Sequence, residues 1–119
     1  MRRQVVEYAL QFVGGRYQYG GVDPNKGVDC SGFTRYVYQH GAGITLNRSS
    51  RGQALQGKEI SADQMRPGDL LFYGSKSNID HVAMYIGEGK IVHASTERTG
   101  ITISNWNYRN PVKIRSIME

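Results

Sequence analysis

The sequence predicts an α+β domain in which helices come first and an antiparallel sheet of about five strands follows. Two observations predict this class. Apolar residues recur at helical spacing early in the chain, whereas the second half consists of short β-branched and aromatic runs bounded by glycine and polar turns. A length of 119 residues suits one hydrophobic core. We therefore expect a single domain over residues 1–119.

The first helix is predicted over residues 3–13, because one face of this segment is apolar and Gly14 and Gly15 follow it as a stop signal. The apolar positions are Val5, Ala9, Phe12 and Val13. Residues 15–27 combine glycines with a proline and with Asp and Asn residues, a composition typical of a loop.

The second helix is predicted to begin between residues 29 and 31 and to end at Gly41, which would serve as its left-handed C′ residue. Phe33, Tyr36 and Val37 give this segment its helical period. Residues 43–61 are polar and irregular, and we expect one helical turn there, around Gln53.

Five later runs have the composition of strands and predict an antiparallel meander. They are DLLFYG (69–74), HVAMYIG (81–87), KIVHAS (90–95), ITISNW (101–106) and VKIRSIM (112–118).

The net charge of +5 and the pI near 9.5 favour anionic partners. The basic residues are scattered along the chain, which favours a solvated surface over a stripe that binds nucleic acid. No segment is apolar enough to span a membrane, and Glu7 and Gln11 interrupt the N-terminal segment too much for a signal-peptide core. An exported form would therefore carry its signal outside this chain.

Cys30 is the only cysteine, so it cannot form an internal disulfide. An inert buried thiol, a metal ligand and a nucleophile are the possibilities that the sequence leaves open. If the second helix begins at this residue, the helix dipole and the free backbone N–H groups favour the thiolate and predict a lowered thiol pKa.

A nucleophilic thiol needs a base, and the chain offers His40, His81 and His93. His40 ends the same helix about 15 Å from Cys30, which is too far to reach the sulfur. His81 and His93 lie on consecutive predicted strands with a short glycine-containing turn between them.

The length of that turn decides whether the two imidazoles share a face of the sheet. A three-residue loop over residues 87–89 pairs Ala83 with His93, so that His81 becomes the diagonal neighbour of His93 on the same face. A two-residue loop at Glu88 and Gly89 would place His81 on the opposite face. We expect the longer loop, because Gly89 can adopt the left-handed conformation that such loops need.

Three interpretations of these residues remain at this point. In the first, Cys30 attacks a carbonyl, His81 moves its proton and His93 orients His81. In the second, the same three residues bind zinc, although no short-spaced ligand pair anchors such a site. In the third, the histidines only fill polar positions on a sheet.

Six segments of the sequence then suggest a family. RYQYGG, VDCSGF, LNRSS, RPGDLLFY, HVAMYIG and IVHAS occur in this order. Together they resemble the NlpC family of bacterial cell-wall cysteine peptidases, which have a compact papain-like fold. The resemblance extends from about Tyr8 to Arg115. In LNRSS, Asn47 stands where the family usually has proline.

The resemblance implies a role for each matching residue of the catalytic centre. Cys30 would be the nucleophile, His81 the general base and His93 the polar residue that orients it. Tyr17 matches a family tyrosine whose hydroxyl lies near the thiol, where it would help to stabilise an oxyanion together with the Cys30 backbone N–H.

Three further residues are candidates for substrate binding. Asp29 and Ser31 match positions that hold the free amine of an N-terminal L-alanine in some family members. Arg48 is a candidate for gripping a substrate carboxylate, because guanidinium can bind one in bidentate fashion. An ordinary surface or loop-supporting arginine is the alternative for Arg48.

The function that the resemblance implies is hydrolysis of peptidoglycan stem peptides at the γ-D-glutamyl–diamino acid bond, through a thioacyl-enzyme and without a cofactor. We expect a monomeric catalytic domain of a longer exported protein, acting outside the cell, at the cell wall or in the periplasm. A muramoyl-L-alanine amidase or another thiol acyl-transfer enzyme is the first alternative, and a non-catalytic wall-binding module is the second.

Overall fold

The computed structural model describes residues 2–118, and within them the predicted α+β class is confirmed. The helices of this part are α1 (Arg2–Leu10), α2 (Cys30–Ala42) and α3 (Ser50–Gln53), with a 3₁₀ turn at Ala62–Gln64. A small ribbon pairs β1 (Val22–Asp23) with β2 (Gly27–Val28). The main sheet contains β3 (Lys58–Glu59), β4 (Leu70–Ser75), β5 (Asn78–Gly87), β6 (Lys90–Thr96), β7 (Gly100–Asn105) and β8 (Pro111–Ser116).

The main sheet has the order β3-β8-β4-β5-β6-β7, and every pairing is antiparallel. The five predicted strands correspond to β4–β8. Four of them form a meander, but β8 returns to the opposite side of β4 instead of extending the sheet beyond β7. The sixth strand, β3, falls in a segment predicted to be irregular, because two exposed residues carry no recognisable strand pattern of their own.

The helices differ from prediction at their ends. Regular α1 stops at Leu10 rather than at residue 13, because the following N–H groups bond three residues back, as in Phe12 to Ala9 at 3.1 Å. Helix α2 continues through Gly41 to Ala42, and Gly43, at φ 69°, takes the left-handed cap position predicted for Gly41. The turn around Gln53 is confirmed as α3.

Two apolar layers cover the faces of the sheet. Helices α1 and α2 pack on one face, where alternate residues of the central strands, such as Val82, Met84 and Val92, join the larger core. The intervening residues, such as Ala83 and Ile91, point to a smaller cluster on the other face. Within residues 2–118, no helix has the length and apolar character needed to cross a membrane.

Candidate active site

Helix α2 begins at Cys30, as predicted, because the residue before it is a strong N-cap. Asp29 is extended (φ −88°, ψ 179°), and its Oδ1 accepts a hydrogen bond from the Gly32 N–H at 2.7 Å. The half-buried thiol of Cys30 therefore lies at the positive end of a 13-residue helix, beside its free N–H groups.

The β5–β6 turn has the length of the shorter loop that the sequence allowed, and a bulge beside it gives the register of the longer one. Glu88 (φ 55°) and Gly89 (φ 75°) form a two-residue turn closed by Gly87 and Lys90. A bulge at Ile86 then shifts the ladder by one residue. The predicted three-residue loop is wrong in length, but the bulge restores the register that it implied.

The restored register pairs Tyr85 with Ile91 and Met84 with Val92, and the ladder ends there, one pair short of the predicted Ala83–His93 pair. Beyond this point, β5 continues along β4 while β6 continues along β7. We call the place where β5 and β6 diverge, beside Val82 and His93, the strand fork. The Cys30 thiol lies near enough to the Val82 backbone for that backbone to affect its ionisation, which places the thiol at the fork.

The two imidazoles meet at the fork, as the shared-face prediction requires. His81 Nε2 and His93 Nδ1 are 2.8 Å apart and share a hydrogen bond. Because this bond occupies Nε2 of His81, Nδ1 is the nitrogen left to exchange a proton with a thiol. His93 Nε2 in turn lies 2.9 Å from the Ser104 hydroxyl oxygen.

One cavity of about 330 Å³ brings the thiol and the first imidazole together. Its lining consists of Tyr17, Cys30, Asp80, His81, Ser95, Thr96, Tyr108 and Arg109. A larger cavity of about 560 Å³, beside β3 and the end of β8, is lined by neither cysteine nor histidine. The smaller cavity is therefore the one with the residues for acyl-transfer chemistry.

The ionisation of Cys30 differs from the sequence-based expectation. Burial is the largest influence and raises the pKa of the thiol, and the neighbouring Asp29 carboxylate acts in the same direction. The backbone N–H groups at the start of α2 lower it, as predicted, but do not outweigh burial. The prediction of a lowered thiol pKa is wrong because it considered the helix end without the packing around it.

Both imidazoles are held neutral. Burial lowers the pKa of His81, and the neighbouring His93 and Arg109 lower it further. Burial lowers the pKa of His93 to about 4. At neutral pH the cavity is thus lined by a neutral thiol and a neutral imidazole.

Tyr17 reaches the cavity from the loop before β1, where its backbone bridges to Val28 just ahead of α2. Burial raises the pKa of Tyr17, and the nearby Cys30 and Asp29 raise it further. The phenol therefore keeps its proton and can donate it in a hydrogen bond.

Asp29, Ser31 and Arg48 form one network beside the α2 N-terminus. The Arg48 guanidinium binds both Asp29 carboxylate oxygens, at 2.9 and 3.1 Å, and donates to the Ser31 hydroxyl at 3.0 Å. The structure thus brings the three substrate-binding candidates together, although they do not line the cavity of Cys30. Arg48 has a protein carboxylate as its partner, and its side chain stays 40% exposed.

Several residues that line the cavity or contact His93 were not predicted from the sequence. Arg109 forms an ion pair with Asp80 at 3.1 Å, which places one charge of each sign at the cavity. The Tyr108 ring packs 5.3 Å from the ring of His93. Ser104 bonds to His93 from β7. Only the β6–β7 register would have identified Ser104, since Thr102 and Ser104 lie on the face of His93, and the sequence does not determine that register.

Comparison with known proteins identifies the family. The model of the NlpC/P60 family matches residues 14–115. The chain belongs to the NlpC/P60 family. Its members with solved structures include the NlpC/p60 domain of the peptidoglycan hydrolase SagA, which is 35% identical and superposes with a TM-score of 0.90 over 98% of each chain.

An NlpC/P60 family protein from Bacillus cereus ATCC 10987 is 28% identical, with a TM-score of 0.92 over all of this chain and 41% of that one.

Curated relatives have the same domain within longer chains. The murein DD-endopeptidase MepS/murein LD-carboxypeptidase of Escherichia coli K12 is 36% identical over 90% of this chain and 56% of its own. The gamma-DL-glutamyl hydrolase of Bacillus subtilis 168 is 36% identical over 84% of this chain and 24% of its own. This NlpC/P60 chain thus spans between about a quarter and just over half of these two relatives.

Proposed function

We propose that this NlpC/P60 domain is a cysteine endopeptidase that cleaves the γ-D-glutamyl–diamino acid bond of peptidoglycan stem peptides. One observation carries the proposal: Cys30 and His81 line a single cavity, while His93 occupies the far nitrogen of His81. A nucleophile, a base and a residue that orients the base are the parts of a thiol acyl-transfer site. We call Cys30, His81 and His93 the thiol relay.

In the first half of the reaction, the Cys30 sulfur attacks the glutamyl carbonyl carbon while His81 Nδ1 takes the thiol proton. The Tyr17 hydroxyl and the Cys30 backbone N–H stabilise the oxyanion. His93 accepts a hydrogen bond from the imidazolium of His81. His81 then gives its proton to the departing amine of the diamino acid, which leaves a thioacyl-enzyme.

In the second half, His81 removes a proton from water, and the resulting hydroxide attacks the thioester carbonyl. The sulfur leaves and regains its proton from His81. No cofactor enters this sequence. The alternative of zinc held by the same three residues gains no support. Within residues 2–118 no group of His, Cys, Asp and Glu side chains is arranged to hold a metal ion, and His81 and His93 use one nitrogen each to bond to one another.

Asp29, Ser31 and Arg48 complete the proposal as substrate-binding residues. Asp29 and Ser31 would hold the free amine of an N-terminal L-alanine, and Arg48 would offer its exposed side to a substrate carboxylate. The ion pair bears directly on this assignment. The Arg48 guanidinium binds both carboxylate oxygens of Asp29, so a substrate ammonium would have to share those oxygens with it.

The names of the relatives support the substrate class, because they describe a peptidoglycan hydrolase, a murein endopeptidase and a glutamyl hydrolase. A stem-peptide substrate implies action at the cell wall, outside the cell or in the periplasm. An amidase that releases L-alanine from muramic acid would use the same thiol relay and is the second candidate.

A digest of defined muropeptides separates these candidates by mass spectrometry. The proposal predicts fragments with a new N-terminal diamino acid, and it predicts that iodoacetamide abolishes their formation while a chelator does not. Release of the lactyl group would support the amidase instead. Loss of activity with the chelator, restored by added zinc, would support the metal site.

A further inference from the structure

Ser104 lies on β7, next to the end of the thiol relay. In the β6–β7 ladder His93 is directly opposite Thr102, and Ser104 follows two residues later on the same face. The His93 ring bonds to the diagonal neighbour, since its Nε2 lies 2.9 Å from the Ser104 hydroxyl oxygen. His93 itself is fully buried.

His81, His93 and Ser104 are joined by two hydrogen bonds. The donors of these bonds can point from His81 towards Ser104 or from Ser104 towards His81. A neutral imidazole has one N–H, so each ring donates from one nitrogen and accepts at the other. If His81 donates from Nε2, His93 accepts at Nδ1 and must donate from Nε2 to Ser104. If Ser104 donates instead, His93 is protonated on Nδ1 and His81 must also be protonated on Nδ1.

The two directions differ in whether Nδ1 of His81 can accept a proton. In the first direction, Nδ1 of His81 has a free lone pair and can take the proton of Cys30. In the second, Nδ1 already has a proton, so the base cannot act. A residue that accepts from His93 Nε2 therefore selects the competent direction, and burial of both rings makes the selection necessary because neither ring is doubly protonated at neutral pH.

We propose that Ser104 is a positioning residue of the thiol relay: its hydroxyl oxygen accepts from His93 Nε2–H and thereby keeps Nδ1 of His81 unprotonated and available to the thiol. The inference rests on the proposed function for its catalytic meaning. The hydroxyl can serve as acceptor because Ser104 is half-buried and its own proton can bond to solvent.

The test compares wild type with Ser104→Ala, Ser104→Thr and Thr102→Ala, the last as the matched control on the same face. Long-range ¹H–¹⁵N spectra of histidine-labelled protein report which nitrogen of each ring is protonated. We expect one Nε2–H tautomer for His93 in wild type, Ser104→Thr and Thr102→Ala. We expect a mixture of tautomers in Ser104→Ala.

Hydrolysis of a stem peptide is the second readout. We expect Ser104→Ala to lower kcat about tenfold with KM unchanged, because one hydrogen bond that selects the active form is lost. Ser104→Thr restores kcat to within about twofold, and Thr102→Ala retains it.

An Nδ1–H tautomer for His93 in wild type overturns the inference without any variant. A Ser104→Ala variant that keeps both the wild-type tautomer of His93 and the wild-type kcat also overturns the inference. A wild-type protein that hydrolyses no stem peptide refutes the proposed function instead, while the tautomer spectra still decide the role of Ser104.

Discussion

Acid should destabilise this protein, because the folded chain buries His93 as a neutral ring. His93 is fully buried, and burial lowers its pKa from 6.5 to about 4. Between these two pH values the unfolded chain binds a proton that the folded chain does not, so stability falls as the pH falls. Above pH 6.5 His93 is neutral in both the folded and the unfolded chain, so it no longer makes the free energy of unfolding depend on pH.

The linkage relation gives the magnitude for His93 alone. The free energy of unfolding should fall by about 2 kcal/mol between pH 8 and pH 5, and by about 3 kcal/mol at pH 4. His81 acts in the same direction, since burial lowers its pKa too. Against a typical total of about 5–15 kcal/mol, this loss is easily measured.

The assay is urea unfolding at pH 8, 6.5 and 5, monitored by the fluorescence of Trp106, the single tryptophan. His93→Gln replaces the ring with an amide that cannot ionise, and it should show a loss between pH 8 and 5 that is smaller by about 2 kcal/mol. His40→Gln, at an exposed histidine, is the control and should retain the wild-type loss. Equal losses in wild type and His93→Gln would refute the argument that His93 is buried as a neutral ring.

Three substitutions test other parts of the account. Tyr17→Phe should lower kcat by about 10²-fold and leave the urea midpoint unchanged, since it removes one oxyanion donor and little packing; an unchanged kcat would exclude this role. Arg2→Ala should cost about 3 kcal/mol in urea unfolding, because it leaves the fully buried carboxylate of Asp69 without its partner at 2.7 Å. Gly100→Ala should also destabilise, as φ is 65° and an added Cβ would lie 2.2 Å from the Gly15 carbonyl oxygen; a midpoint equal to that of wild type would contradict this geometry.

Local patterns in the sequence were enough for much of the fold. Asp29 before Cys30 is a capping signal, and the start of α2 followed it. Strand composition located β4–β8, and alternation along β5 and β6 placed His81 and His93 on one face. Each of these inferences uses residues that lie close together in the chain.

The errors and omissions come from contacts between distant segments. Strand β3 exists because Lys58 and Glu59 pair with β8, more than fifty residues later. Burial of Cys30 by other elements reverses the pKa shift expected from its helix end. The ion pair between Asp29 and Arg48 likewise depends on the path of the loop between them, which no periodicity encodes.

Ser104 was missed at the candidate site for the same reason. Its contact with His93 depends on the β6–β7 register, which pairs Thr102 with His93 and is set by the turn around residues 97–99. The single glycine of that turn, Gly100, lies at its end. The sequence of the turn therefore does not determine which residues of β6 and β7 pair. The histidine pair could be predicted because the β5–β6 connection is short enough to restrict the alternatives to two.

The most direct test of the central claim is the turnover of a defined stem tetrapeptide by wild type and by Cys30→Ser, a variant that replaces only the sulfur atom with oxygen. The account predicts that wild type releases L-alanyl-D-glutamate and a dipeptide that begins with the diamino acid. It predicts that Cys30→Ser is slower by at least about 10³-fold while unfolding at the same urea concentration. Turnover by Cys30→Ser at the wild-type rate would contradict it.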